Sequence, residues 1–367
     1  MMYRADRLSL LQVTILCSST MIGAGILTIP RSSANSGFPD GWIIVLIQGV
    51  IFAFVAFLLG WIAEKNAPDT IFESNTKGAG AFFGTIFNLM LIAYLLGIIG
   101  FEARVLGEVV QFFLLQSTPM SVIVMIFLLV ATYHMKSGIF PVVKLVTFIY
   151  PITMIIYIGL MLFSLKIFDF DYLRPVMAHG FKDFSKLFSQ TFIQFTGFEV
   201  ILFIVPFMYK DKQSKAKWAA AIGVGITSLV YSLTLFIVIG SMTVGETKSL
   251  TWPTVSLIQA LEIEGVFIER FDIFLLTLWT CQQFICMLGF FQFAIKGCNA
   301  VFKTTNLPKL LWLLFLLTSA LSLFPKNINE VFYYSTMLGY ALFVVLAIPF
   351  ITAVLLMIRK KWGGRSA

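Results

Sequence analysis

Long apolar runs separated by short polar stretches dominate this chain. Each run is on the scale of the about 20 residues that a helix needs to cross a bilayer. The pattern predicts ten such segments: residues 8–30, 42–63, 81–113, 120–133, 140–165, 187–208, 218–242, 271–301, 310–324 and 331–358. The third carries charges in its second half, the fourth is short and ends at Ser137-Gly138, and the fifth contains Pro151. Two polar connections are longer than the others, residues 166–186 and 245–270. Within the second, residues 255–261 fit a short amphipathic helix over the outer face, either a lid over a cavity or a plain surface helix. No low-complexity run or soluble domain interrupts the pattern. One membrane domain over residues 1–367 is expected, ending in a short cytoplasmic tail at 359–367.

Glycines punctuate two of these segments at their middles. In the first, Gly23 and Gly25 flank Ala24 within SSTMIGAGILTIPR, residues 18–31. Each glycine costs roughly 1 kcal/mol in a helix interior relative to alanine, so the pair reads as a helix that stops and restarts, with a glycine-containing helix packed closely on a neighbour as the alternative. In the sixth, Gly197 stands among Gln194, Thr196 and Glu199. Divided five and five, the segments form two halves, residues 8–165 and 187–358, of inverted topology. The two breaks then fall at matching positions, the arrangement that places a binding site between broken helices near the bilayer midplane.

Composition agrees with a polytopic membrane protein: 59% of the 367 residues are hydrophobic and 12% charged, against about 25% charged in soluble domains, and mean hydropathy is +0.93. The first apolar segment exceeds a signal-peptide core and no cleavage site follows it, which predicts a retained helix. The net charge of +8 resides in short loops, so membrane topology accounts for it and no nucleic-acid partner is expected. With the amino terminus inside, 17 of the 26 lysines and arginines fall on the inner side, which puts both termini in the cytoplasm. The four cysteines lie in or beside apolar segments without a CxxC pair, and His134 and His179 lack partner carboxylates at useful spacing. No metal site, cofactor or enzymatic activity is expected.

Charges inside the segments are the remaining candidates for chemistry. Glu199 sits near mid-membrane, where a carboxylate costs at least about 2.5 kcal/mol and must face protein or water. It reads as part of the central site, with a structural hydrogen bond as the alternative. Glu102, Arg104 and Glu108 read as a group at the outer end of the third helix, with a local Arg104–Glu108 pair and side chains reaching water. Lys144 reads as a lysine snorkelling to the surface.

The runs IGAGIL and FTGFE resemble the amino acid–polyamine–organocation transporter superfamily, whose members typically carry G-x-G in helix one and F-x-G-x-E in helix six. Chain length, ten segments, the basic start YRADRLSLLQ, and the runs MIGAGILTIPR, GFPDGW and FTGFEVILFIVPFM make the whole chain similar to the B subunits of spore germinant receptors. The resemblance implies an all-α, LeuT-like fold of two inverted five-helix repeats with helices one and six broken. It also implies the inner membrane of a dormant bacterial spore, partnership with receptor A and C subunits, and the sensing of a small nutrient, commonly an amino acid. Carried over by motif, Gly23, Ala24 and Gly25 would offer backbone N–H groups to a ligand carboxylate. Gln194, Phe195, Thr196 and Gly197 would line the other side. Where some members have a bulky aromatic gate, this chain has Ile193. Three readings follow: a nutrient-sensing receptor subunit, a proton- or sodium-coupled amino acid transporter, or a structural subunit that binds no ligand and holds its partners in the membrane.

Overall fold

The computed structural model describes residues 7–176, 181–261, 271–304 and 306–363. The expectations at Arg4, His179, Arg270 and the tail residues 364–367 lie outside this set. Every regular element described is helical, and the one β-type contact among the described residues is a bridge between Leu8 and Met208.

The first helix, α1 (Leu10–Ala34), starts at a capping box. The Ser9 hydroxyl accepts from the Gln12 N–H at 3.3 Å and Gln12 Oε1 accepts from the Ser9 N–H at 2.9 Å, so two donors at the helix start are satisfied reciprocally. Its course is broken at one residue, Gly23, whose φ of −33° and ψ of −108° leave the helical region. α2 (Gly41–Asn66) follows, then α3 (Ile71–Phe113), which turns at Gly80 (φ +83°) before the stretch expected to span. Next come α4 (Met120–His134) and α5 (Ile139–Phe163).

The sixth apolar segment is interrupted far more thoroughly. α6 (Phe181–Thr191) passes through a 3-10 turn at Phe192–Phe195 and stops at Thr196-Gly197. The chain restarts in a second 3-10 turn at Phe198–Val200, followed by α7 (Ile201–Ile204). The two halves are bent by 44°. The remainder is α8 (Ala216–Ser249), α9 (Pro253–Gln259), α10 (Phe271–Phe302), α11 (Leu307–Leu323) and α12 (Ile328–Gly363).

Eight described helices are long and apolar enough to cross a membrane, and nine cross if the bent pair counts as one span. The expected ten therefore turns on α11, whose 17 residues stand at the lower limit for a span. α1 is buried around its circumference, as a helix apolar on all sides must be. It packs most extensively on α8, while α3 packs on α10, α11 and α12. Large apolar side chains such as Phe54, Phe148, Leu229 and Trp312 instead point outward, the surface a lipid-embedded bundle presents.

α9 occupies the expected loop-helix position but does not lie on the surface. Pro253, Thr254, Val255, Leu257 and Ile258 are buried, and the Thr254 hydroxyl donates to Ile26 O at 3.1 Å. It therefore covers the carboxy-terminal half of α1.

Candidate functional site

The two interrupted helices meet backbone to backbone. A Cβ placed on Gly197 would lie 2.7 Å from Thr20 O, so only glycine permits this approach, and its φ of +126° likewise favours glycine. The Thr20 hydroxyl donates to Gly197 O at 3.0 Å. Tyr231 of α8 reaches across both breaks: its hydroxyl donates to Met21 O and stands 3.1 Å from Gln194 O. Gly25 is needed for that reach, since a methyl there would fall on the Tyr231 hydroxyl. Gly25→Ala is expected to displace Tyr231 at a cost of roughly 1–3 kcal/mol, read as a lowered thermal midpoint. An unchanged midpoint would mean that the tyrosine staple contributes nothing.

Interruption frees backbone groups, and each must find a partner when buried. At the second break the partner is Glu199, 1% exposed. One carboxylate oxygen accepts from the Gly197 N–H and the other from the Tyr94 hydroxyl, both at 2.8 Å. A carboxylate in the first turn of a restarting helix is favourably placed against its dipole.

At the first break, Glu102 of α3 has the corresponding place. Its carboxyl takes a hydrogen bond from Gln283 Nε2, and its Oε2 lies 3.1 Å from where a Cβ on Gly23 would stand. Glu102 is 8% exposed, which corrects the expectation that it lies in an outer group open to water. Arg104 pairs with Glu108 at 2.8 Å as expected, but it too is buried, with Nη1 donating to Ser322 O at 3.3 Å.

The carbonyls freed in α1 are held by one face of α10. Trp279 Nε1 donates to Gly23 O at 2.9 Å and Cys286 Sγ to Ser19 O at 3.1 Å, while Gln282 Nε2 donates to the Ser19 hydroxyl. Positions 279, 282, 283 and 286 recur at the spacing of a single helix face. The sequence reading missed this stripe, although polar residues at that period in an apolar helix were its signal.

Between the breaks lies a cavity of about 30 Å³, room for a water or two. Of the residues expected at the site, Ala24, Gly25, Gln194 and Thr196 line it, and Glu102 joins them. Gly23, Phe195, Gly197 and Glu199 are not on its wall. Phe195 is a packing residue, stacked on Phe52 at 5.1 Å. Ile193, Phe332 and Ser335 line both this cavity and a larger one of about 340 Å³, which Arg31, Ser32, Asn35 and Gln190 also line. Arg31 stacks over the Phe332 ring at 4.8 Å. Among the described residues no cluster of three or more His, Cys, Asp or Glu side chains could hold a metal ion.

A family profile described as Spore germination protein matches residues 7–331. Spore germination protein B2 of Bacillus subtilis (strain 168) is 48% identical over 359 residues, covering 97% of each chain. Spore germination protein A2 of the same organism is 35% identical, again over 97% of each. Spore germination protein GerLB of Bacillus cereus is 27% identical over 99% of this chain and 97% of its own. Among solved structures, that of MhsT in complex with L-phenylalanine superposes with a TM-score of 0.70 over 97% of this chain and 98% of that one. Its 12% identity makes this a likeness of fold.

Proposed function

We propose, since the chain belongs to the spore germination protein family, that it is the membrane subunit of a germinant receptor that senses a small nutrient at the cavity between its two broken helices. The observation carrying this reading is the meeting of the breaks. Residues of both breaks, Gln194 and Thr196 among them, and Glu102 line one small cavity in a membrane protein of transporter fold. The likeness to MhsT, whose structure holds an amino acid, supports an amino acid as ligand.

In this reading residues 8–165 and 187–358 are two inverted five-helix repeats, with α11 as the tenth span, both termini in the cytoplasm and receptor A and C subunits as partners. Ligand favours one arrangement of the broken helices over another, to the extent that its affinity for the two differs. The test is a titration of the purified protein with a panel of amino acids and sugars. Saturable binding of one class is expected, and lost by filling the cavity at Ala24. Absence of binding across the panel, with complex assembly intact, would leave the structural-subunit reading in its place.

The α10 stripe favours a receptor over a sodium-coupled carrier. A coupling cation is held by carbonyls of unwound helix, and here Gly23 O and Ser19 O are already engaged by N–H and S–H donors. A ligand that binds only the folded state raises its stability by mass action. Thermal midpoints in sodium chloride and choline chloride of equal ionic strength are therefore expected to agree within about 1 °C. A rise of about 5 °C specific to sodium would favour the carrier.

A further inference from the structure

The restart of α1 after Gly23 is a helix amino terminus, and such ends attract anions. A ligand carboxylate is the occupant that the glycine motif leads one to expect. In this protein the place is taken. Glu102 Oε2 lies 3.1 Å from where a Cβ on Gly23 would stand, and Glu102 shares the cavity wall with Ala24 and Gly25.

Glu102 has no ion-pair partner among the described residues: Arg104, two positions on, turns to Glu108 and Ser322 O instead. A buried carboxyl group held only by neutral donors gains strongly from a nearby cation. Of the other unfilled positions there, two are acceptors, and the Thr196 hydroxyl on the cavity wall can donate or accept. Gln194 Oε1, on the cavity wall, and Gln283 Oε1, beside Glu102, are buried carbonyl oxygens that receive no hydrogen bond. We infer that Glu102 is a built-in substitute for a ligand carboxylate, and that the central site recognises its ligand through an ammonium group.

This inference rests on the central cavity being the sensing site, and it names what that site reads. The amine of an amino acid is then essential and its carboxylate is not. A second carboxylate at the restart of α1 would have a carboxyl group for a neighbour.

Two small probes, one cationic and one anionic, decide the matter on the full chain in detergent, without knowledge of the nutrient. Methylammonium chloride is expected to raise the thermal midpoint by a few degrees over sodium chloride at matched ionic strength, whereas sodium acetate leaves it unchanged. In Glu102→Gln the methylammonium rise disappears. In Glu102→Ala, where the restart of α1 loses its neighbouring carboxyl, acetate acquires a stabilising effect. Stabilisation of the parent protein by acetate, or the absence of any methylammonium effect on it, overturns the inference, and these two arms suffice if neither variant folds. A methylammonium rise that survives in Glu102→Gln also overturns it. The nutrient panel separates the two proposals: no nutrient binding with the methylammonium effect intact removes the sensing role alone. Binding of a deaminated acid in place of its amine removes the ammonium assignment alone.

Discussion

Gly197→Ala is expected to lower the thermal midpoint of the purified protein by about 10 °C or more. Two costs add. A side chain held at φ +126° is in a region that residues other than glycine rarely adopt, a penalty of about 1–3 kcal/mol. The new methyl would also stand 2.7 Å from Thr20 O and 2.8 Å from Thr20 C. These are backbone atoms of α1, which cannot turn aside as a side chain can. Relief would require the two broken helices to separate, opening the contact that the Thr20 hydroxyl closes at 3.0 Å. Gly225→Ala is the control. Gly225 lies within α8 with no neighbour within 4 Å of an added methyl, so alanine there is neutral or stabilising by up to about 1 kcal/mol. Equal midpoints for the two variants would mean that the breaks do not touch.

The same glycines explain why much of the architecture was legible beforehand. A helical period cannot accommodate Gly197 between polar neighbours without a stop, and the stop is where the chain turns by 44°. The first break was overestimated. Gly25 keeps its helical place, and its role is to admit Tyr231, which only the packing of α8 reveals. Glu102 escaped notice because sequence proximity grouped it with Arg104 and Glu108. At 100° per residue, however, two positions are about 200° apart around a helix. The Arg104–Glu108 pair and Glu102 therefore face opposite ways, one toward α11 and the other toward the break in α1. That geometry was available from the spacing; which face turned inward was not, because it depends on where α10 and α1 pack. Glu199 was recognised as a membrane-buried acid, and the donors that engage it belong to α3 and to its own break.

Glu199→Ala is the second change expected to have a large effect, and its comparison with Glu199→Gln distinguishes a cap from a ligand group. Alanine leaves the Gly197 N–H and the Tyr94 hydroxyl buried without their acceptor, at a combined cost of about 3–5 kcal/mol. A midpoint lowered by about 4–7 °C should result. Glutamine preserves both contacts. Its carbonyl oxygen accepts the Gly197 N–H, while its amide donates to the Tyr94 oxygen, which can reverse its role. Only the charge-assisted part of the bonds is lost, about 1 kcal/mol. If Glu199 serves as the brace of the second half-helix, Glu199→Gln spores keep their nutrient response while Glu199→Ala spores lose the folded subunit. A Glu199→Gln protein that is as stable as its parent yet unresponsive would instead assign the carboxylate to the ligand. The position of Glu199 off the cavity wall, with both oxygens already engaged at 2.8 Å, favours the brace.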